Sequence, residues 1–330
     1  MEDKLKKTIT SLNKKYGEGT IKRLGDDPLL DIPRISSGIL SLDLALGGGY
    51  PTGRIVEIYG QEGSGKTAIA TYGLTEIQKT LGNIAVIDVE QTFNPAYAAK
   101  NGMNIESLYW SQPETGEQAM DIAEALALSG VKGILYDSVA ATMPKHEGEK
   151  DMGDPTIGTQ AKLMSQCLRR LNPTLNKNNC TIFFVNQLRE KVGVMYGNPE
   201  VVPGGRALKF YASIRLSVRP VAYLKEDGSE ITTKEGAVGH RIKIRVEKNK
   251  VYTPFKIAEF DFYYGIGVDQ ESDIINVASD IGVITKTGSW YSYEPLEGDH
   301  VKAQGLLKFK KSVRERGLID EVRERTLGFL

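Results

Sequence analysis

The sequence predicts an α/β protein with a central, mostly parallel sheet flanked by helices, and three observations carry that reading. Short apolar runs at residues 55–59, 84–89, 133–137 and 181–186 alternate with helical stretches, the pattern of parallel strands joined by crossover helices. Each run ends in or leads to a polar residue, and in such sheets ligands bind at the carboxyl ends of strands. The first run passes directly into Gly60-Gln61-Glu62-Gly63-Ser64-Gly65-Lys66-Thr67, which fits G-x-x-x-x-G-K-[ST].

In chain order, residues 1–33 read as a basic arm. Leu5, Ile9, Leu12 and Tyr16 recur at helical spacing with lysines on the other face, and Tyr16-Gly17-Glu18-Gly19 ends that helix. An apolar stripe on so short a terminal helix packs on its own core or on a neighbouring subunit. Residues 34–268 hold the alternating strands and helices, including a proline-free helix over 67–79. Residues 213–218 and 240–246 alternate apolar with polar side chains, which predicts half-exposed antiparallel strands at the sheet edge. Two stretches resist regular assignment. One is about 145–158, rich in Gly, Asp and Glu; the other is about 188–206, with Gly193, Gly197, Pro199, Pro203 and Gly204-Gly205. Long irregular loops inside a compact domain are usually functional or mobile. Residues 269–330 shift in composition and read as a small α+β domain.

With 330 residues, 40% hydrophobic and 25% charged, the chain has globular values, enough for one large domain with appendages or for two domains. Lys+Arg and Asp+Glu each total 42, so global charge does not advertise nucleic acid and any basic surface must be local. Residues 1–25 carry seven Lys/Arg against three Asp/Glu, and residues 300–330 eight against four. Alone, such runs read as solvated helix faces. The chain opens Met1-Glu2-Asp3-Lys4-Leu5 with no apolar leader, and no window reaches the length of a membrane span. Cys167 and Cys180 are the only cysteines and lack metal-ligand spacing, so a reducing cytoplasm, structural thiols and no membrane partner are expected.

Strand, glycine-rich loop and helix start together form a phosphate cradle. Gly60, Gly63 and Gly65 let successive N–H groups, with those of Gln61, Glu62 and Ser64, turn toward a phosphate. Lys66 reaches the β- and γ-phosphates and Thr67 offers its hydroxyl to Mg²⁺, so the chain is expected to bind a nucleoside triphosphate. Gly133-Ile134-Leu135-Tyr136-Asp137 is an apolar strand ending in an acid that either holds the Mg²⁺ shell or caps a strand end. Glu90, after Ile87-Asp88-Val89, either orients the water that attacks the γ-phosphate or makes a salt bridge. Tyr97 either stacks on a base or belongs to the core. Lys248 and Lys250, at i and i+2 on an extended chain, point the same way and either reach a phosphate or decorate a solvated edge.

Together these residues resemble the RecA family of bacterial and phage recombinases. Ile35-Ser36-Ser37-Gly38, Leu42-Asp43-Leu44-Ala45-Leu46-Gly47-Gly48-Gly49 and Pro51-Thr52-Gly53-Arg54 are similar to the segment that leads into that family's phosphate loop. So are Ser111-Gln112-Pro113-Glu114-Thr115-Gly116, Asp137-Ser138-Val139-Ala140-Ala141, Asn186-Gln187-Leu188-Arg189 and Gly193-Val194-Met195-Tyr196-Gly197-Asn198-Pro199-Glu200. Gly204-Gly205-Arg206-Ala207-Leu208-Lys209-Phe210-Tyr211 and Lys248-Asn249-Lys250 complete the likeness, which spans about residues 8–293 and is poor over 294–330.

The resemblance implies a RecA-like ATPase core, and a DNA-dependent, Mg²⁺-dependent ATPase that forms helical filaments on single-stranded DNA. Such a filament pairs with homologous duplex DNA and exchanges strands in recombinational repair; it also implies a possible coprotease role toward a self-cleaving repressor. Glu90 resembles the water-activating carboxylate, Gln187 the γ-phosphate sensor and Tyr97 the adenine-stacking residue. Lys248 and Lys250 resemble lysines that reach the ATP of the adjacent subunit. The arm resembles the element that docks on the neighbouring core, and Phe210 lies in a segment that matches the subunit interface. The two irregular stretches resemble DNA-binding loops. Gly158, Lys162, Ser165, Arg169, Arg189, Lys191, Gly204, Gly205 and Arg206 would meet the DNA backbone, while Ile157 and Val192 wedge between base triplets.

Departures from the commoner pattern are Gln91 for histidine, Asn94 for the aspartate that meets adenine, Lys162 for arginine, Pro203 for threonine and Arg206 for asparagine. The chain ends Leu327-Gly328-Phe329-Leu330 after a basic stretch, where many bacterial members carry an acidic tail. Weaker autoinhibition of duplex-DNA loading is expected from that difference. A ring-forming motor on the same fold is disfavoured by Gly204-Gly205-Arg206 and Lys248-Asn249-Lys250, which match the filament branch.

Overall fold

A computed structural model describes residues 2–21, 23, 32–148, 158–190 and 200–329. The chain divides into two units, residues 1–33 and residues 34–330. The first contains α1 (Glu2–Tyr16), whose last turn carries Lys14 and Lys15 where the helix dipole favours cations. Asn13 ties down the chain that follows, accepting Ile21 N–H at 2.8 Å. Leu5 and Tyr16 of the apolar stripe stay 56% and 63% exposed.

The second unit opens with β1 (Arg34–Ile35), α2 (Leu40–Leu46) and β2 (Tyr50–Pro51), the two strands pairing antiparallel. The αβ core follows as β3 (Ile55–Gly60), α3 (Lys66–Leu81), β4 (Ile84–Asp88), α4 (Pro95–Lys100), β5 (Tyr109–Ser111), α5 (Gly116–Leu128) and β6 (Gly133–Asp137). Next come α6 (Lys145–Gly148), α7 (Thr159–Asn178), β7 (Thr181–Gln187), β8 (Arg189–Glu190), β9 (Glu200–Val201) and α8 (Ala207–Tyr211). Then β10 (Ile214–Leu224), β11 (Glu230–Ile231), β12 (Gly239–Asn249), β13 (Ile257–Tyr263) and β14 (Gly267–Val268) finish the core.

The main sheet has the order β14-β13-β12-β10-β3-β7-β6-β4-β5. From β10 to β5 all neighbours are parallel, whereas β12, β13 and β14 are antiparallel additions. Helices cover both faces, which is why β4, β6 and most of β3 and β7 are apolar at nearly every position rather than at alternate ones. One face packs Leu42, Leu46, Ile69, Leu74 and Ile77 of α2 and α3 on Val56, Ile58, Val86 and Phe183. The other packs Ala119, Ala123, Leu168, Leu171 and Leu175 of α5 and α7 on Ile134, Tyr136, Ile182 and Phe184. Gly73 in α3 lets Tyr50 and Phe183 meet edge to face, with ring centres 4.9 Å apart. A Cβ at Gly73 would lie 2.7 Å from Tyr50 Cε2.

Three expectations need correction. Neither β10 nor β12 is an edge strand: β10 lies between β3 and β12 and runs parallel to β3, and β12 lies between β10 and β13. The alternating polar residues of β10 face a buried polar layer, in which Arg215 pairs with the 1%-exposed Glu57 and Ser217 is also buried. The stretch from 145 is helical at Lys145–Gly148 (α6), while residues 149–157 lie outside the described residues. The stretch 188–206 contains the antiparallel pair β8–β9, and residues 191–199 lie outside the described residues.

The remainder is a small α+β domain made of α9 (Gln270–Asp280), β15 (Thr285–Thr287), β16 (Trp290–Tyr293), β17 (Val301–Gln304), α10 (Leu306–Glu315) and α11 (Ile319–Gly328). Its core of Ile275, Ile284, Tyr293, Phe309, Val313 and Val322 continues onto Leu40 and Leu44 of α2. Among the described residues no helix is long and apolar enough to cross a membrane.

At this junction Asp273 of α9 accepts the Ser41 N–H at 3.1 Å and is 3% exposed. Burial lifts its pKa to about 6, Ser41 and the Leu40 backbone pull it down, and Asp43 adds repulsion. The folded state therefore binds this proton more tightly than the unfolded chain, whose carboxyl titrates near 3.9. The stabilising contribution is complete below about pH 4 and is lost as pH rises through about 6. Asp273→Asn removes that loss. Its melting temperature relative to the native chain is expected to climb between about pH 4 and pH 7.5, equivalent to on the order of 2 kcal/mol. Parallel melting curves across that range would contradict it.

Candidate functional site

The carboxyl ends of β3, β4, β6 and β7 lie side by side and bring together residues far apart in sequence. β3 ends at Gly60, where a Cβ would stand 2.2 Å from Val218 O, so only glycine lets the loop leave the sheet there. Gly63 and Gly65 adopt φ of 70° and 89°, the left-handed region that favours glycine. The loop then enters α3 at Lys66, and the first-turn N–H groups of a helix have no intrahelical acceptor, which suits an anion. Gln61, Glu62 and Gly63 are exposed, whereas Ser64 is buried. Lys66 is 8% exposed and its Nζ donates to Gln61 O at 2.7 Å across the loop. Burial lowers its pKa, and the nearby Asp137, Glu90 and Glu62 oppose that shift.

Asp137 sits at the centre. Its Oδ2 accepts the Thr67 hydroxyl at 2.7 Å, and its carbonyl accepts Val89 N–H at 2.7 Å and Glu90 N–H at 3.0 Å. The peptide to Ser138 is cis. Burial lifts the Asp137 pKa to about 6; the Thr67 bond opposes this, Glu90 and Asp88 add repulsion, and Lys66 offsets them in part. Glu90 is exposed and its Oε1 accepts Gln187 Nε2 at 3.3 Å. Gln187 N–H in turn donates to Asn186 Oδ1 at 3.0 Å.

The Thr67 hydroxyl and the Asp137 carboxylate are adjacent hard oxygen donors in a patch of excess negative charge, a donor set that fits Mg²⁺. Among the described residues no group of three His, Cys, Asp or Glu side chains is arranged to hold a metal ion. A cation here would therefore complete its shell with phosphate and water, the usual habit of Mg²⁺.

Asn94 accepts Tyr97 N–H at 3.0 Å and so caps α4. Tyr97 is half-buried and packs against the core cluster of the α3 face. Lys248 and Lys250 converge as their spacing predicts. Lys248 Nζ donates to Lys209 O at 2.7 Å and Phe210 O at 3.0 Å, and Lys250 Nζ to Phe210 O at 3.2 Å. Burial, then repulsion from Lys250 and Arg215, lowers the Lys248 pKa to about 8. Phe210 is 70% exposed beside them. The fold does not bring these lysines to the carboxyl-end cluster of their own chain. Lys248 pairs with Arg215, which pairs with Glu57 in the first half of β3, whereas Gly60 pairs with Val218. That offset is roughly 10 Å along the strand at about 3.3 Å per residue.

The described residues among the expected nucleic-acid contacts lie on α7, on β8 and in the segment leading into α8. Gly158 caps α7 in a left-handed conformation, and Lys162, Ser165 and Arg169 follow on one α7 face, the two cations exposed. Arg189 on β8 and Arg206 at the start of α8 are exposed. Gly204 and Gly205 have φ of 85° and 74°. Gly204 N–H donates to Gln160 Oε1 at 3.2 Å, so that donor is already engaged within the chain. Ile157, Lys191 and Val192 lie outside the described residues.

Two connecting residues escaped the sequence reading. Gln160 Nε2 also donates to Val139 O at 2.8 Å and Thr142 O at 3.0 Å, which joins the turn after Asp137 to Gly204. Asn186 donates to Pro203 O at 3.1 Å and to Glu57. Nothing in the local sequence marks Gln160, whereas Asn186 lies in a segment already singled out.

This geometry agrees with comparison to known proteins. The RecA N-terminal domain family matches residues 3–269 and the RecA C-terminal domain family residues 272–324. The second match extends the likeness through most of 294–330, where the sequence reading expected little. A Protein RecA of Chloroherpeton thalassium is 51% identical over 89% of this chain and 82% of its own length. One of Listeria welshimeri is 48% identical over 97% of this chain and 90% of its own, and one of Listeria monocytogenes 48% over 94% and 88%. The chain belongs to the RecA family of DNA-dependent ATPases that act in homologous recombination and repair.

Proposed function

We propose that the carboxyl-end cluster binds ATP with Mg²⁺ and hydrolyses it in a site completed by the next subunit of a filament on single-stranded DNA. The observation that carries this is the hydrogen-bonded path from Glu90 through Gln187 and Asn186 to Pro203, beside Gly204 and Gln160. It connects a carboxylate at the phosphate loop to the segment proposed to hold DNA. Gly60–Thr67 N–H groups and Lys66 bind the phosphates, Tyr97 and Asn94 face the base, and Thr67 with Asp137 holds Mg²⁺, which neutralises phosphate charge when bound. Glu90 accepts a proton from the water whose oxygen attacks the γ-phosphorus, as the bond to the ADP oxygen breaks. Gln187 senses whether that phosphate is present.

Lys248 and Lys250 stand too far along the sheet to serve their own chain, which favours action on the neighbour's ATP. The exposed Leu5 and Tyr16 support the arm, residues 1–33, as the docking element. Residues 34–268 are the ATPase core. In the 269–330 domain, Lys302 lies over the exposed Trp290 ring at 5.5 Å, a cationic, aromatic point on the surface that would suit duplex DNA. The filament would act in the cytoplasm and could also present a surface to a self-cleaving repressor.

Lys248→Ala/Lys250→Ala is expected to bind ATP normally and to lose stimulation of hydrolysis by single-stranded DNA. Hydrolysis that stays stimulated would remove the composite site. The second test mixes this variant with Glu90→Gln. Each is expected to be inactive alone, while an equal mixture recovers about a quarter of the native rate, because random neighbours rebuild that share of interfaces. No recovery in filaments shown to be mixed would mean that both groups act within one chain.

A further inference from the structure

β4 ends at Asp88, a carboxylate 1% exposed beside Asp137 on the floor of the site. Its Oδ1 accepts Thr92 N–H at 3.0 Å; its Oδ2 accepts Phe93 N–H at 3.3 Å and Gln112 Nε2 at 3.1 Å. Between strand and anchors the chain forms a tight loop. Val89 and Glu90 N–H bond to Asp137 O, and Gln91 takes φ of 57°, a conformation that a non-glycine residue keeps only when its surroundings hold it. Glu90 is therefore gripped on one side by the Asp137 carbonyl and on the other by the Asp88 carboxylate. The same carboxylate fixes Phe93, next to Asn94, whose side chain caps the helix that bears Tyr97.

We infer that Asp88, braced by Gln112, is a positioning residue that sets the Glu90 carboxylate for hydrolysis, an inference that rests on the proposed role of Glu90. Asp88 contacts neither water nor nucleotide in this scheme; it works through the loop. An amide at position 88 keeps a single acceptor oxygen, so its NH₂ group faces either the Thr92 or the Phe93 N–H and at least one of the three anchors would be lost. A displacement of about 1 Å in a positioned group is enough to cost on the order of 100-fold in rate.

The test compares full-length native protein, Asp88→Asn, Gln112→Ala and Glu90→Ala for ATP hydrolysis on single-stranded DNA and for binding of a fluorescent ATP analogue. Glu90→Ala is expected to be inactive. Asp88→Asn is expected to lose roughly 10- to 100-fold in kcat, with KM for ATP and analogue affinity within about threefold of native. Gln112→Ala, which leaves the carboxylate in place, is expected to show a smaller kcat loss of the same kind and decides the matter if Asp88→Asn does not fold. Native kcat in the deciding variant, with Glu90→Ala inactive, overturns the inference alone. An equal loss of kcat and ATP affinity overturns it too, since that is the signature of general structural support. Turnover that survives in Glu90→Ala overturns the reading of Glu90, and this inference with it.

Discussion

Everything at the carboxyl edge of the sheet is referred to Asp137. Its side chain holds Thr67 at the start of the phosphate-loop helix, and its carbonyl holds the two N–H groups that launch the Glu90 loop. Three elements distant in sequence, α3, β6 and the loop after β4, therefore share one residue as a fixed point. The arrangement concentrates negative charge. Asp88, Asp137 and Glu90 face one another with Lys66 as a partial offset, which is why burial and repulsion lift the Asp137 pKa to about 6. Phosphates would bring further negative charge to this edge, and the divalent cation proposed to be held by Thr67 and Asp137 would offset it.

A second constraint comes from the middle of the sheet. Glu57 is a charge buried in β3, and it is tolerated because Arg215 pairs with it and Asn186 donates to it, while the Arg215 guanidinium lies 4.7 Å from the Tyr59 ring centre. This polar layer joins β10, β3 and β7 just behind the phosphate loop. It separates the edge that carries Glu90 and Gln187 from the edge where Lys248 and Lys250 hold the Phe210 carbonyl. Under the proposed reading these are two half-sites on different parts of one sheet. Head-to-tail packing of identical subunits is the arrangement that lets such halves meet repeatedly.

The strand ends and the phosphate loop were legible because their signals are local: an apolar run, a following polar residue, a glycine spacing. Asp137, Glu90 and Gln187 could be placed on that basis, and the fold sets them together. What was not legible depends on long-range contact. Gln160 reaches Gly204, 44 residues away, and Arg215 reaches Glu57, 158 residues away, and no local pattern announces either. β10 misled for a related reason. Its alternation suggested one face in water, but the polar face lies against Glu57 and Tyr59 inside the sheet. Asp88 was passed over as part of a strand because its role lies in accepting N–H groups from residues that come after it.

Hydrolysis by Asp137→Asn, measured on single-stranded DNA across a range of Mg²⁺ concentrations, tests most directly whether this residue organises the site. An asparagine keeps the backbone bonds to Val89 and Glu90 but removes the charge that the cation is proposed to meet. The account predicts a fall on the order of 100-fold in kcat and a Mg²⁺ requirement shifted to higher concentration, with no loss of thermal stability near neutral pH. A native rate with a native Mg²⁺ dependence would contradict it.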